Sequence, residues 1–281
     1  MRRLTFVAVL FWVSATFAQD HFNVAYLRSS TQLDKNKVSD FEFSFTAPLH
    51  LKNNDYFVLG INTTQFDIQS EAVNSASLSN NMLRLGYIFN KENSKTMLMG
   101  ITRLNGGNNS HSFQYGGLIH YQLIFNSAFS LTSGILYNTD LFGHFILPFV
   151  GIKWKISDKL WLYGDLPIYA HLLYHLNEKH QVGIQFRGVI SSHPYGGDNY
   201  YEMSEDWICL YYEYFITKNI VIQPSAGIFF IRNINYFEKN EQLDAKIAII
   251  NIGERNYIQD APIHGIAPFV GLHLFYRVAK H

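Results

Sequence analysis

From Phe113 to Phe125 the chain reads FQYGGLIHYQLIF. Phe113, Tyr115, Gly117, Ile119, Tyr121, Leu123 and Phe125 fall on one face of an extended segment, and Gln114, Gly116, His120 and Gln122 on the other. Side chains alternate across a strand and recur every third or fourth position on a helix, so a pattern this regular excludes a helix. The same period returns in Val182 to Ile190, where Val182, Ile184, Phe186 and Ile190 alternate with Gln181, Gln185 and Arg187. It returns again where Ile208, Leu210, Tyr212, Tyr214 and Ile216 oppose Glu213. No segment of useful length carries a helical period, and the chain is read as all-β.

The connections come in two kinds. His50–Asp55, Asn90–Ser94, Asn126–Ala128, Ser157–Lys159, Asn177–Lys179 and Thr217–Asn219 are tight. Ser29–Lys37, Gln69–Ser77, Asn105–His111, Asn138–Gly143, Ser191–Met203 and Asn233–His264 are mostly longer and more polar. The kinds alternate along the chain, as they do where antiparallel strands run up and down between a rim of short turns and a rim of long loops. The expected fold is a closed antiparallel up-and-down transmembrane β-barrel of about 14 strands, with 12–16 spanned by the readings of Trp161–His175 and of the loops. In the longest connection, KIAIINI has strand character and would add a hairpin.

Alternation alone does not say which face is outside. A soluble barrel turns its apolar face inward and a membrane barrel turns it outward. The chain starts MRRLTFVAVLFWVSATFAQD, a basic start, an apolar run and a small residue at Ala18. Residues 1–18 are expected to be a secretory signal peptide, and 19–281 the barrel domain. Aromatics and charged residues each make up 16% of the chain, and Trp154, Tyr121, Tyr214 and Tyr276 stand near strand ends, as interfacial girdles do. About 14 strands also enclose too wide a space for a dry core. These features favour an exported membrane barrel with its apolar face in lipid. Lys+Arg and Asp+Glu balance at 22 each, so no basic field points to nucleic acid. Cys209 is the only cysteine and forms no internal disulfide.

Two phrases nearly repeat, ILPFVGIKWKI at Ile146–Ile156 and IAPFVGLHLFYRV at Ile266–Val278. With the S-D-K and N-E-K turns, the P-F-V-G-I-K-W segment resembles outer-membrane β-barrels of Gram-negative bacteria, and more narrowly uncharacterised barrel families of Bacteroidota. The resemblance covers nearly all of the mature chain. It implies an architecture, outer-membrane lipid as surroundings and insertion by the barrel-assembly machinery. Near the C-terminus, Gly271, Leu274 and Tyr276 have the spacing of a closing strand, but the chain continues to His281 without a terminal Phe.

With the apolar face in lipid, the opposite parity lines the lumen: Glu42, Arg84, His120, Gln122, Lys153, Lys155, His171, His175, Gln185, Arg187, Glu213, Gln223, His273 and Arg277. Cations outnumber carboxylates in this set, so the lumen is expected to be polar and mildly basic. Two readings follow: a passive pore that admits small anionic solutes, or charges that pair across the lumen and hold its shape. His171, His175 and His180 invite a metal, but strand positions i and i+4 lie about 13 Å apart, too far for one ion. Ser–His neighbours occur in NSHS (Asn109–Ser112) and SSHP (Ser191–Pro194), yet adjacent strand residues point opposite ways and form no dyad. No catalytic, metal or cofactor site is assigned. A passive pore or structural envelope barrel is expected, with a lipid or lipopolysaccharide hydrolase, or a surface receptor or adhesin using the long loops, as alternatives.

Overall fold

The computed structural model describes residues 23–32, 37–69, 76–107, 110–196, 199–238, 240–255 and 259–277. The expected signal peptide, residues 1–18, lies outside them, as do parts of the connections at 33–36 and 70–75 and the end of the chain from 278. Among the described residues every regular element is a strand: β1 Asn23–Gln32, β2 Lys37–His50, β3 Tyr56–Gln69, β4 Ala76–Lys91, β5 Ser94–Gly107, β6 Ser110–Asn126, β7 Phe129–Asp140, β8 Gly143–Lys155, β9 Leu160–Leu166, β10 Tyr169–His175, β11 His180–Pro194, β12 Asn199–Phe215, β13 Ile220–Glu238, β14 Ala245–Ile247, β15 Ile250–Ile252, β16 Gln259–His264 and β17 Ala267–Arg277.

Each strand from β1 to β12 pairs antiparallel with its successor. β13 pairs with β17, and β17 pairs with β1. The wall is therefore up-and-down and strongly curled, with an outer and an inner face. Leu83, Leu85, Leu98, Ile119, Ile135, Val150, Leu210 and Leu272 are exposed on the outer face. Phe89, Tyr121, Phe125, Trp154, Tyr174, Tyr212 and Tyr214 form an exposed aromatic row toward the short turns. Glu42, Asn62, Thr64, Gln114, Ser130, Gln181, Glu213, Gln223 and His273 are buried on the inner face.

The segments read as polar loops are largely strand. β5 and β6 run to Gly107 and from Ser110, β7 and β8 to Asp140 and from Gly143, and β11 and β12 to Pro194 and from Asn199. Most of the long strands exceed the ~9–11 residues that cross a bilayer, so their polar ends continue the ladder beyond the apolar belt. The connection after β13 is shortened likewise. β13 reaches Glu238, KIAIINI folds into the β14–β15 hairpin, and β16 returns along β13.

The prolines of the repeated phrase have a common cause. In β8, Lys155 donates its N–H toward β7 (to Ala128 O, 2.7 Å), whereas Ile156 donates toward β9 (to Leu160 O, 2.9 Å) and Ile146 accepts from Ala248 at β14 (2.9 Å). Even-numbered residues of β8 therefore face the β9 side. Pairing to β9 begins at Val150 and pairing to β14 ends at Ile146, so Pro148 sits in the gap between two partners, where a missing donor costs nothing. Arg277 donates toward β13, to Asn219 O, so Pro268 faces β1, one position beyond the last pair, Gln32 with Phe269. Pro148 is thus not tolerated for being near a strand start, since β8 begins at Gly143.

The tight turns are held by side chains. Asp55, between β2 and β3, accepts from the Asn90 N–H (2.8 Å), the Tyr87 hydroxyl (2.8 Å) and Asn53 Nδ2 (2.5 Å). These donors, the Asn90 amide first, hold its carboxyl below the ordinary 3.8. A depressed folded value means that the contribution of Asp55 is fully present above its ordinary value and lost as pH falls through the lower one. Asp55→Asn is expected to lower the protection factor of the Asn90 amide in hydrogen exchange at neutral pH, and to remove the further loss of protection expected of the parent as pH falls.

Candidate functional site

The interior is closed by the ends of β11, β12 and β13. Below this region β12 alternates like its neighbours. Above it, Tyr200, Tyr201, Glu202 and Met203 are all buried, so both faces of the strand are covered. The ladder between β12 and β13 shifts register between Asp206 and Trp207, whose partners are Ile231 and Phe229. Such a bulge bends the sheet, here toward the interior. β11 leaves β10 at the same level, since its last pair to β10 is Arg187 with Tyr169. Gly188 passes so close to its neighbours that a Cβ there would lie 2.7 Å from Asp206 Oδ1 and 2.8 Å from Pro167 O. We call this bent three-stranded end the inner flap.

One face of the flap packs across the interior on strands that are not its ladder neighbours. Tyr201, Met203 and Ile234 form a cluster with Val38 of β2, Phe66 and Ile68 of β3 and Ala76 and Leu78 of β4. The other face carries Tyr200 and Phe237 against Phe142 and Phe145, with Ile190 and Leu147 at its edge. The tip of β11 is tied to the opposite wall. Asn105 Nδ2 donates to Ser192 O (2.7 Å), the Leu141 N–H donates to Ser192 Oγ (2.9 Å), and Ser192 Oγ donates to the buried Asp140 carboxylate. A Cβ on Gly107 would collide with the Pro194 carbonyl. Full burial of this many apolar side chains, at ~1.5–3 kcal/mol each, makes the closure a packed core.

Below the flap the charged residues pair. Arg187 Nη1 lies 3.3 Å from Glu42 Oε2, joining β11 to β2, and Asn62 Nδ2 donates to the other Glu42 oxygen (2.7 Å). Arg277 donates to both oxygens of Glu213 (2.7 and 2.6 Å), joining β17 to β12. His120 lies 3.9 Å from Asp165, and Arg84 Nη2 donates to Thr46 Oγ1 (3.3 Å). At the base of the flap itself, Arg232 Nε donates to Glu205 Oε1 (2.6 Å) and its guanidinium covers the Phe229 ring at 3.7 Å. Lys155 pairs with Asp158 in the following turn (2.7 Å), and Lys153 is exposed. Near the β9–β10 hairpin His171 stacks on Tyr163, centroids 4.8 Å apart and planes 6° from parallel. His175 is half-buried on the same strand face, and His273 is buried beside Phe275.

Two expectations change here. A mildly basic interior omits buried carboxylates at Asp40, Asp140, Glu202 and Glu205. Asp140 and Glu202 lie in segments read as loops, where strand parity was not applied. The opposing charges make an interlocked network without a dominant sign. A Ser–His contact also forms two residues apart, outside the neighbouring pairs. Ser191 Oγ, not Ser192, lies 3.2 Å from His193 Nε2, and His193 Nδ1 lies 3.2 Å from Ser79 O. Both residues are sealed, at 3% and 0% exposure, so no substrate reaches them. His180 stacks on Tyr212 and Tyr214, which are exposed on the outer face, whereas His171 meets the buried Tyr211. Among the described residues no three His, Cys, Asp or Glu side chains are placed to hold a metal ion.

Residues 15–243 match the model of a domain of unknown function, DUF6268. The chain belongs to this family. The DUF6268 match takes in β1 to β13 and therefore the flap, and it ends ahead of the β14–β15 hairpin. No curated protein is significantly similar to the chain. Among solved structures, the DUF6268 chain is distantly similar to the NanC porin (TM-score 0.39, 9% identity, 90% of this chain and 98% of that one). It is likewise similar to the KdgM porin (TM-score 0.37, 8% identity, 91% and 99%) and to a mutant Rh. blastica porin (TM-score 0.32, 9% identity, 90% and 98%).

Proposed function

We propose that this protein is a pore-type outer-membrane β-barrel held in a closed state by its inner flap. On this reading residues 1–18 direct export, and residues 19–281 insert with the help of the barrel-assembly machinery. On this reading β17, paired with both β13 and β1, joins the first and last strands of the wall, as a bilayer favours. The observation that carries the reading is the inverted polarity of the wall. Large apolar side chains stand outside beside an aromatic row, and carboxylates and guanidiniums are paired inside. A water-soluble barrel would reverse both faces.

A barrel closed in this way passes no large solute. Selective passage of small anions gains no support, because Arg187 and Arg277 are each engaged by a carboxylate. The paired charges act as interior bracing.

Tryptophan quenching tests the orientation. Trp154 is 42% exposed on the outer face, and Trp207 is 4% exposed inside. In vesicles of bromine-labelled phosphatidylcholine, the emission of Trp154 is expected to be quenched and that of Trp207 to be retained. Equal quenching of both, or of neither, would show that the apolar face does not meet lipid.

A further inference from the structure

The wall is notched beside β8. β9 and β10 each span only 7 residues, so β8 above Val150 and β11 above Arg187 have no β9 or β10 partner. Part of the notch is filled by the β14–β15 hairpin. β14 pairs parallel with β8 through Ala245 with His144, Lys246 with Phe145 and Ile247 with Ile146. Phe145 is a buried inner residue, so the register turns Lys246 inward and Ile247 outward. On β15, Ile250 stands opposite Ile247 and Ile252 opposite Ala245. Ile249, Ile250 and Ile252 are 88%, 64% and 42% exposed. They extend the outer apolar belt of β8, in which Val150 is 66% exposed.

The inward side of the same segment grips the flap. Lys246 Nζ lies 2.6 Å from Glu202 Oε1, and Arg255 Nη2 lies 2.5 Å from Glu202 Oε2. Arg255 covers the Phe237 ring at 3.9 Å, and Tyr200 donates to the Glu241 carbonyl (2.8 Å). One buried carboxylate on the flap thus receives both cations that flank the hairpin.

We propose that the β14–β15 hairpin is a membrane-seated latch: its isoleucine face occupies the bilayer, its Lys246 and the adjoining Arg255 hold Glu202, and release of this grip opens the interior. The occupant of the isoleucine face is the acyl region of the surrounding lipid, because that face continues the belt of β8. This inference rests on the membrane reading above and goes beyond it by assigning the gate. Opening swings the flap toward the notch, where no β9 or β10 partner holds β11.

The test uses the full mature chain in planar bilayers and bromine-labelled vesicles. The parent is expected to carry current indistinguishable from the bare membrane. Glu202→Gln leaves two buried cations without a counter-charge and is expected to raise the open fraction by on the order of a hundredfold. Ile250→Asp with Ile252→Asp is expected to unseat the latch and open it to a similar extent. The pair His144→Cys and Ala245→Cys, built on the double aspartate variant with Cys209→Ala, is expected to hold the interior shut when oxidised, by seating the hairpin on β8 again, and to release it on reduction. Ile250→Trp in a Trp154→Phe background is expected to be quenched by the labelled lipid. An absence of that quenching would assign the face to water or to a second copy and overturn the latch. If Trp154 of the parent is quenched but Glu202→Gln and the double aspartate variant stay silent, the latch fails and the membrane reading stands. If Trp154 is not quenched, both fail.

Discussion

Leu210→Arg is expected to destabilise the inserted protein by about 2–4 kcal/mol, the cost of a basic side chain on the lipid face near the bilayer midplane. Leu210 is 66% exposed, stands opposite Ile184 and Ala226, and lies on the side of Tyr212 away from the short turns. Its environment outside the protein decides the outcome. A leucine this exposed to water would tolerate arginine within about 0.5 kcal/mol, because surface substitutions away from special features are nearly neutral. Reversible urea unfolding from vesicles measures the difference. A value near zero would remove the strongest support for a lipid-facing exterior, whatever the protein does inside.

Glu205→Ala is expected to cost about 3–5 kcal/mol, since it strands the buried Arg232 without its carboxylate. Glu205 is 5% exposed and Arg232 2%. The two residues are opposite each other in the ladder, just beyond the register shift that bends β12 and β13 inward. The double variant Glu205→Leu with Arg232→Met is expected to recover most of the loss, because a well-packed apolar replacement of a buried ion pair is often neutral or stabilising. Urea unfolding of the two variants in the same vesicles gives the comparison. Equal losses in single and double variants would mean that the flap depends on these charges for more than mutual neutralisation.

The wall was legible because a half-buried strand obeys a parity rule. The rule that places Leu210 outside and Glu213 inside needs only one covered face. It fails in the flap, where Tyr200, Tyr201, Glu202 and Met203 are covered on both sides and alternation carries no information. Ser191–Pro194 looked like a loop for the same reason. Ser192 and His193 are polar because they bond across the interior to Asp140 and Ser79, which are distant in sequence. Arg187 was identifiable as a lumen candidate by parity. Its partner was not, since pairing Arg187 with Glu42 requires the curl that brings β11 over β2. The hairpin was half legible: KIAIINI showed a strand, but nothing local said that it would join β8.

The short β9–β10 hairpin has a consequence for the lipid. Seven residues tilted like their neighbours rise only about 16–19 Å, against an apolar band of ~25 Å elsewhere on such a barrel. If the wall spans a membrane as proposed, the protein is too thin for its bilayer on that side. The isoleucines of residues 247–252 make up part of the difference from a segment far along the chain. Hydrophobic mismatch would otherwise be met by thinning the membrane locally. A deletion within 245–252 therefore alters the depth of lipid that the protein accepts on one flank, and with it the membranes and neighbours beside which it sits at least cost.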